Sequence, residues 1–221
     1  MVVKKLSTVA PKISALSLGH VTDGDDSLLE SHGSVESSRF DGIDVGGSDL
    51  AGISFTECEL IGISAHDTNF RSADFIDTRF ERLNAPIFTA PRSRFRDVVV
   101  DSSRIGSAEF YEASWQSVHF INCKLGFINL RGAQLQDVLF TNCTIDELDL
   151  GGASVNRVSF VGTQVNNLDV TQSRLQNVDL RDLEMRQLSG LEGLRGATVN
   201  SYQLTELAPL FASQFGLKVE D

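Results

Sequence analysis

Long apolar runs are missing from this chain, and with them any membrane-spanning helix: no stretch approaches the ~18 apolar residues that crossing a bilayer requires. Lys4 and Lys5 stand near the start, but no apolar segment of signal-peptide type follows them. Cysteine is scarce. Cys58, Cys123 and Cys143 are an odd set of three; Cys123 and Cys143 stand twenty apart, which would allow a disulfide, but the expectation is buried, reduced thiols in a cytoplasmic setting. Basic charge is in short supply too. Nineteen Lys and Arg face thirty Asp and Glu, for a formal net charge of −11, so direct binding to nucleic acid is disfavoured. Catalytic signatures are absent: no G-x-S-x-G, no P-loop and no dinucleotide fingerprint. His20, His32, His66 and His119 fall in no metal-ligand spacing, and Thr22-Asp23-Gly24-Asp25-Asp26 lacks the spacing of a calcium loop. No enzyme activity, cofactor or metal is expected.

What the chain does have is a period of five. From Phe40 to Met185 a mostly apolar residue recurs at every fifth position, as in Phe40, Val45, Leu50, Phe55 and Leu60, and later Phe110, Trp115, Phe120, Leu125 and Leu130. Five residues turn a helix by roughly 140°, so such residues share no helical face. A strand alternates sides with period two, so an odd spacing fails there as well. A second series stands two residues earlier, at Ile53, Cys58, Ile63, Val118, Cys123 and Ile128. Residues two apart on an extended segment point the same way. Each pentad is therefore a short extended piece with two inward side chains, followed by a corner. Glycines such as Gly42, Gly52, Gly132 and Gly152 sit at the corners.

Ala73-Asp74-Phe75 and Gly132-Ala133-Gln134-Leu135 resemble the consensus A-(D/N)-L-X-X of the pentapeptide-repeat family. The resemblance covers about two thirds of the chain and rests on roughly thirty consecutive pentads. It implies an all-β solenoid: a right-handed quadrilateral β-helix with four pentads per coil, and here a short C-terminal helical segment. At roughly 4.8 Å per coil, about seven coils give a rod of roughly 35 Å.

The smaller inward series carries one irregularity. After residue 93 it alternates small and large, as in Ala113, Val118, Cys123 and Ile128; before residue 80 the alternation has the opposite phase, as in Ser38, Ile43, Ser48 and Ile53. An odd number of pentads inserted between the two halves would account for this, and Pro86 and Pro91 mark a loop over residues 84–92. A one-pentad insertion would stack Phe55 and Phe75 over Phe120, Phe140 and Phe160; a three-pentad shift would put Val45 and Ala65 there.

Three segments follow: a cap or arm over residues 1–35, the β-helix over 36–199, and a helical cap over 200–221 that also offers a dimer contact. Asn200 and Gln203 have the spacing of a reciprocal N-terminal cap. Leu204, Leu207, Ala208, Phe211 and Phe215 predict an apolar stripe over the last coil, with a kink or two short helices at Pro209 and an end at Gly216. Leu210, Phe211 and Leu217 are the candidate dimer contacts. Candidate partner contacts are Ala85, Pro86, Ile87, Phe88 and Thr89 in the expected loop, and the acidic group Asp146, Glu147 and Asp149.

Similarity to the quinolone-resistance members of the family implies a function: an acidic, dimeric rod that mimics duplex DNA, binds DNA gyrase and influences quinolone susceptibility. The other reading is a rigid structural or protein-interaction module with an unrelated partner.

Overall fold

The structure is a computed structural model and describes residues 7–220. It is a right-handed quadrilateral β-helix of about 9 turns, closed at its C-terminal end by one helix, Ser201–Gln214. The rod is thus longer than the repeat count suggested, about 40 Å at the usual strand spacing. Its strands pair in parallel, and between residues 34 and 189 each paired residue stands beside the one twenty positions on: Phe55 beside Phe75, Phe75 beside Phe95, Phe95 beside Trp115. The backbone is satisfied the same way, with Leu50 N–H donating to Asn69 O at 2.8 Å and Leu130 N–H to Asp149 O at 2.8 Å.

Stacking by twenties turns each inward series into columns. Phe55, Phe75, Phe95 and Trp115 form one, with ring centroids 5.5, 4.8 and 5.7 Å apart in succession. Phe120, Phe140 and Phe160 form another, at 5.1 Å per step with their ring planes nearly parallel. Each such ring, at most a few per cent exposed, contributes about 1.5–3 kcal/mol through its removal from water. The Trp115 indole N–H is buried without a hydrogen-bond partner, among the rings of Phe95, Phe110 and Phe120.

These columns correct the expected loop. Residues 84–92 do not leave the coil: Asn84–Thr89 is a strand, paired with Arg104–Glu109 ahead of it and with Thr68–Asn69 behind. Neither predicted stacking occurs, because Phe55 and Phe75 belong to the Trp115 column. The inversion of small and large residues has another cause. In the first coils Ser38, Cys58 and Thr78 turn their hydroxyl or thiol back to the carbonyl two residues earlier. From Ser103 onward that bond is made one corner later, by Ser103, Cys123, Cys143 and Thr163. The small column moves round the rod by one side, without an inserted residue. A second corner changes at the same place. Gly47 and Asp67 are left-handed there, with φ of 70° and 58°, whereas Ile87, Ser107, Phe127, Glu147 and Asn167 keep negative φ and let a strand run through. Pro86 fits that extended corner, with its missing N–H on the exposed side.

The C-terminal helix begins as predicted. Asn200 Oδ1 accepts from Gln203 N–H and Gln203 Oε1 accepts from Asn200 N–H, at 2.8 and 2.9 Å. Buried Gln203 also donates to the carbonyls of Leu180 and Leu183, pinning the helix to the last coil. Gly216, at φ 66°, ends it, and Leu217 N–H reaches back to Ala212 O. Pro209 lies inside one unbroken helix, contrary to the expected kink or division. Thr205 and Pro209 are both exposed, so water can serve the carbonyl that proline leaves without a donor.

Residues 7–21 form neither coil nor loop. They run extended along one edge of the rod, from Thr8 beside Thr198 to Ser17 beside Asp77. Gly19 lies close to Glu57. The chain then enters the first coil through Thr22–Asp23, which pairs with Ser38–Asp41.

Candidate functional site

The outside of the rod is the candidate site, since its inside is filled. The expected partner contacts divide accordingly. Ala85 and Phe88 are core residues, 0% and 2% exposed, and are withdrawn as contacts because they point into the coil. Pro86 and Ile87 are exposed, and Thr89 is half-buried. Of the acidic group, Asp146 and Glu147 are exposed. Asp149 is 3% exposed; its Oδ1 accepts from Gly151 N–H at 2.8 Å, and Arg131 lies 2.6 Å away, so it is a structural carboxylate.

Charge is distributed unevenly. Residues 1–78 hold 13 of the 30 acidic residues but 5 of the 19 basic ones, so −8 of the net −11 falls on the N-terminal third. Asp41, Asp44, Asp49 and Asp67 are exposed and come from three different sides of the first coils, with Asp23, Asp25 and Asp26 beyond them. Further along, carboxylates are met by arginines. Arg157 grips Asp137 through two bonds of 2.6 Å, Arg131 spans Asp149 and Asp169, and Arg92 lies 2.6 Å from Glu112. Arg157 holds the Asp137 carboxyl below its ordinary range, and Arg181 does the same for Asp179.

The three cysteines are free and buried. Cys123 and Cys143 are in-register neighbours in one column, and the nearness of Cys143 together with burial pushes the Cys123 thiol up. His119 is half-buried, its Nε2 lies 2.9 Å from Thr141 Oγ1, and burial lowers its pKa. Among the described residues no three His, Cys, Asp or Glu side chains cluster as metal ligands, and no helix is long and apolar enough to cross a membrane.

The C-terminal helix covers less than expected. Leu207 is buried and Phe211 half-buried, but Leu204, Ala208 and Phe215 of the predicted stripe are exposed. Leu210 and Leu217 are 45% and 64% exposed, and Tyr202 and Val219 add to the uncovered apolar surface. The residues that bind the N-terminal arm went unread in the sequence. They are Asp77, Ser117, Asp137 and Asn177, spaced along one corner at multiples of twenty.

This geometry defines a class: a rigid parallel β-solenoid, four pentads to the coil, whose function lies on its surface. The chain belongs to the pentapeptide-repeat family. One family model, a pentapeptide repeat region, matches residues 113–189, and another, eight copies of the pentapeptide repeat, matches 38–82. Similar solved structures include a trypsin-treated form of QnrB1, a plasmid-mediated fluoroquinolone resistance protein. It is 17% identical, with 86% of this chain and 93% of that one covered and a TM-score of 0.38. Full-length QnrB1 is 16% identical, with 82% and 91% covered and a TM-score of 0.35. HetL, a pentapeptide repeat protein involved in heterocyst differentiation regulation from the cyanobacterium Nostoc sp. strain PCC 7120, is 12% identical, with 77% and 91% covered and a TM-score of 0.21. No curated protein matches the chain.

Proposed function

We propose that this protein is a non-enzymatic, cytoplasmic protein-binding rod that presents its acidic N-terminal coils to a DNA-binding protein in place of a duplex. The observation that carries this reading is the crowding of unpaired acid on several sides of the first coils. A protein groove built for phosphates is attracted to such a surface, more strongly at low salt. DNA gyrase is the partner suggested by resemblance to the quinolone-resistance members of the family. The exposed apolar surface of the C-terminal helix supports a two-fold homodimer with contacts at Leu210, Phe211 and Leu217. Such a dimer would place the acidic ends outermost.

A gyrase supercoiling assay, with and without a fluoroquinolone, tests the proposal. The parent chain is expected to alter supercoiling or relieve drug inhibition. A variant carrying Asp41→Asn, Asp44→Asn, Asp49→Asn and Asp67→Asn is expected to lose the effect while keeping its melting temperature. A parent without effect on gyrase removes that partner. Light scattering tests the dimer: a parent that is monomeric at tens of micromolar, or a Leu210→Glu/Phe211→Glu variant as dimeric as the parent, removes this interface.

A second reading rests on the arginine-held carboxylates of the later coils. Half the rod is charge-balanced, which suits a scaffold whose partner has no relation to DNA. Partner capture that is indifferent to both salt and the four Asn substitutions would favour it.

A further inference from the structure

The arm over residues 8–18 is held in an unusual way. Its backbone donates to side chains of the rod, not to a neighbouring strand. Val9 N–H donates to Asn177 Oδ1 at 3.3 Å, Lys12 N–H to Asp137 Oδ1 at 2.8 Å, Ser14 N–H to Ser117 Oγ at 2.9 Å, and Ser17 N–H to Asp77 Oδ1 at 3.3 Å. The acceptors share one corner of the solenoid and descend it in order. Asp137 anchors the row: with the arm seated it is 6% exposed, and Arg157 grips both of its carboxylate oxygens.

The spacing has a physical basis. Two coils rise about 9.6 Å, and three residues of extended chain rise about 10 Å. Residues 9 and 12 meet acceptors forty apart, Asn177 and Asp137, and residues 14 and 17 meet Ser117 and Asp77, also forty apart. About half a residue's worth of chain is absorbed between 12 and 14, where the arm advances a single coil. On the other side of the recognition, Thr8, Pro11, Ile13, Leu16 and Leu18 are half-buried while their neighbours face solvent. Hydrogen bonds to backbone N–H groups accept any extended sequence other than one with proline at those positions. Side-chain preference is left to the half-buried apolar residues. Nothing in this arrangement needs the peptide to be joined to the rod.

We propose that the corner lined by Asp77, Ser117, Asp137 and Asn177 is a binding site for an extended peptide, closed in cis by residues 8–18. Released, it would accept an extended segment of the same chemistry from a partner: free N–H groups three, two and three residues apart, and apolar side chains between them. The proposal is independent of the charge-based function above, because the acidic first coils lie beyond most of this row.

The test uses the full chain. In Ile13→Glu/Leu16→Glu the tethered arm loses its apolar hold, while every coil and all four acceptors remain. A fluorescent synthetic peptide of residues 7–21 is expected to bind this variant saturably at one to one, and a scrambled peptide is not. The parent, with its site filled, is expected to bind at least ten-fold more weakly. Adding Asp137→Asn to the variant is expected to weaken the peptide. Absence of binding to a folded variant, or equal binding by the parent and the variant, overturns the proposal. Hydrogen exchange on the unmodified chain provides a second readout that does not depend on the variant folding. The amides of Lys12 and Ser14 are expected to open far more readily than those of strands such as Gln134–Thr141. Simultaneous exchange of arm and strands would make the arm an integral part of the rod and overturn the proposal equally.

Discussion

The first coils and the later ones obey the same five-residue period, yet they are built differently. Around residues 54–61 the strands are three residues long, Ser54–Thr56 and Glu59–Ile61, and left-handed residues break the chain at each corner, as at Gly52, Glu57 and Gly62. From Asp74 the strands lengthen to eight and six residues in alternation, Asp74–Glu81, Asn84–Thr89, Arg94–Asp101 and on to Ser154–Val161. Charge follows the same division, an excess of exposed acid in the first region, where Arg39 meets Glu59 and Arg94 meets Asp74, and mostly arginine-held carboxylates in the second. The period sets which side chains point inward in both regions, and one corner sets the six-residue strands: Gly47 and Asp67 are left-handed there and Ile87 and Ser107 are not, whereas the eight-residue strands run through a corner that stays left-handed, at Asp77 and Asp97. A solenoid can therefore change its surface and its corners along its length while its core columns continue.

The largest expected effect tests the common feature, the core. Phe140→Asp buries an unpaired charge between Phe120 and Phe160, at a cost of several kcal/mol, and cooperative melting should disappear. A variant that melts within a few degrees of the parent would contradict the column. The next test separates the two regions by their glycines. A Cβ at Gly126 would stand 2.0 Å from Gly106 O across the extended corner, while one at Gly42 meets nothing within 4 Å and pays only for a φ of 70°. Gly126→Ala should therefore cost about 1–3 kcal/mol or more, through forced backbone shifts. Gly42→Ala should cost about 1 kcal/mol. Equal melting shifts would erase the distinction between the corners.

Acid sharpens the comparison further. Asp137 and Asp179 have carboxyls lowered by Arg157 and Arg181. A depressed folded pKa stabilises above the unfolded value of about 3.9 and is lost as pH falls through the folded value. Acidification below about pH 4 should then release the arm first, since Asp137 is both its anchor and the titrating group. Hydrogen exchange at Lys12 against pH would show this, and a profile unchanged in Asp137→Asn would sink it. The smallest effect concerns the exposed pair Arg92 and Glu112. Arg92→Ala should leave the melting temperature unmoved, because solvent screens such pairs and ordering them costs entropy; a clear drop would mean that the later coils depend on their surface charge.

The core columns were legible because Phe, Leu, Ile and Val recur at a spacing no other regular structure explains. The Asn200–Gln203 cap was legible because its partners are three residues apart. The corner change near residue 87 left its trace in the sequence, but the trace was ambiguous. Ser103 following Thr78 reads equally as an inserted pentad or as a small column stepping round the rod, and only the pairing of Asn84–Thr89 decides. An arm was among the expectations for residues 1–35, but its seat on the rod was not legible. Its acceptors lie 60 to 168 residues away, and each one alone is an ordinary corner residue. The usable signal was joint: small or acidic acceptors on one corner at multiples of twenty, and an amino-terminal segment apolar at Ile13, Leu16 and Leu18. The covering stripe of the C-terminal helix was half legible. Leu207 and Phe211 do face the last coil, but Gln203, through its bonds to Leu180 and Leu183, seats the helix so that Leu204, Ala208 and Phe215 turn outward.

The arm gives the rod a mechanical asymmetry. Because Thr8 meets Thr198, both ends of the described chain leave from the same end of the rod, and tension between them does not stretch its axis. It loads the arm from its first residue, so the side-chain bonds at Asn177, Asp137, Ser117 and Asp77 would fail one after another, each at low force, as a zipper opens. The stacked coils, whose parallel bonds would share a load applied across them, would feel that pull only after the arm had peeled away down to the first coil.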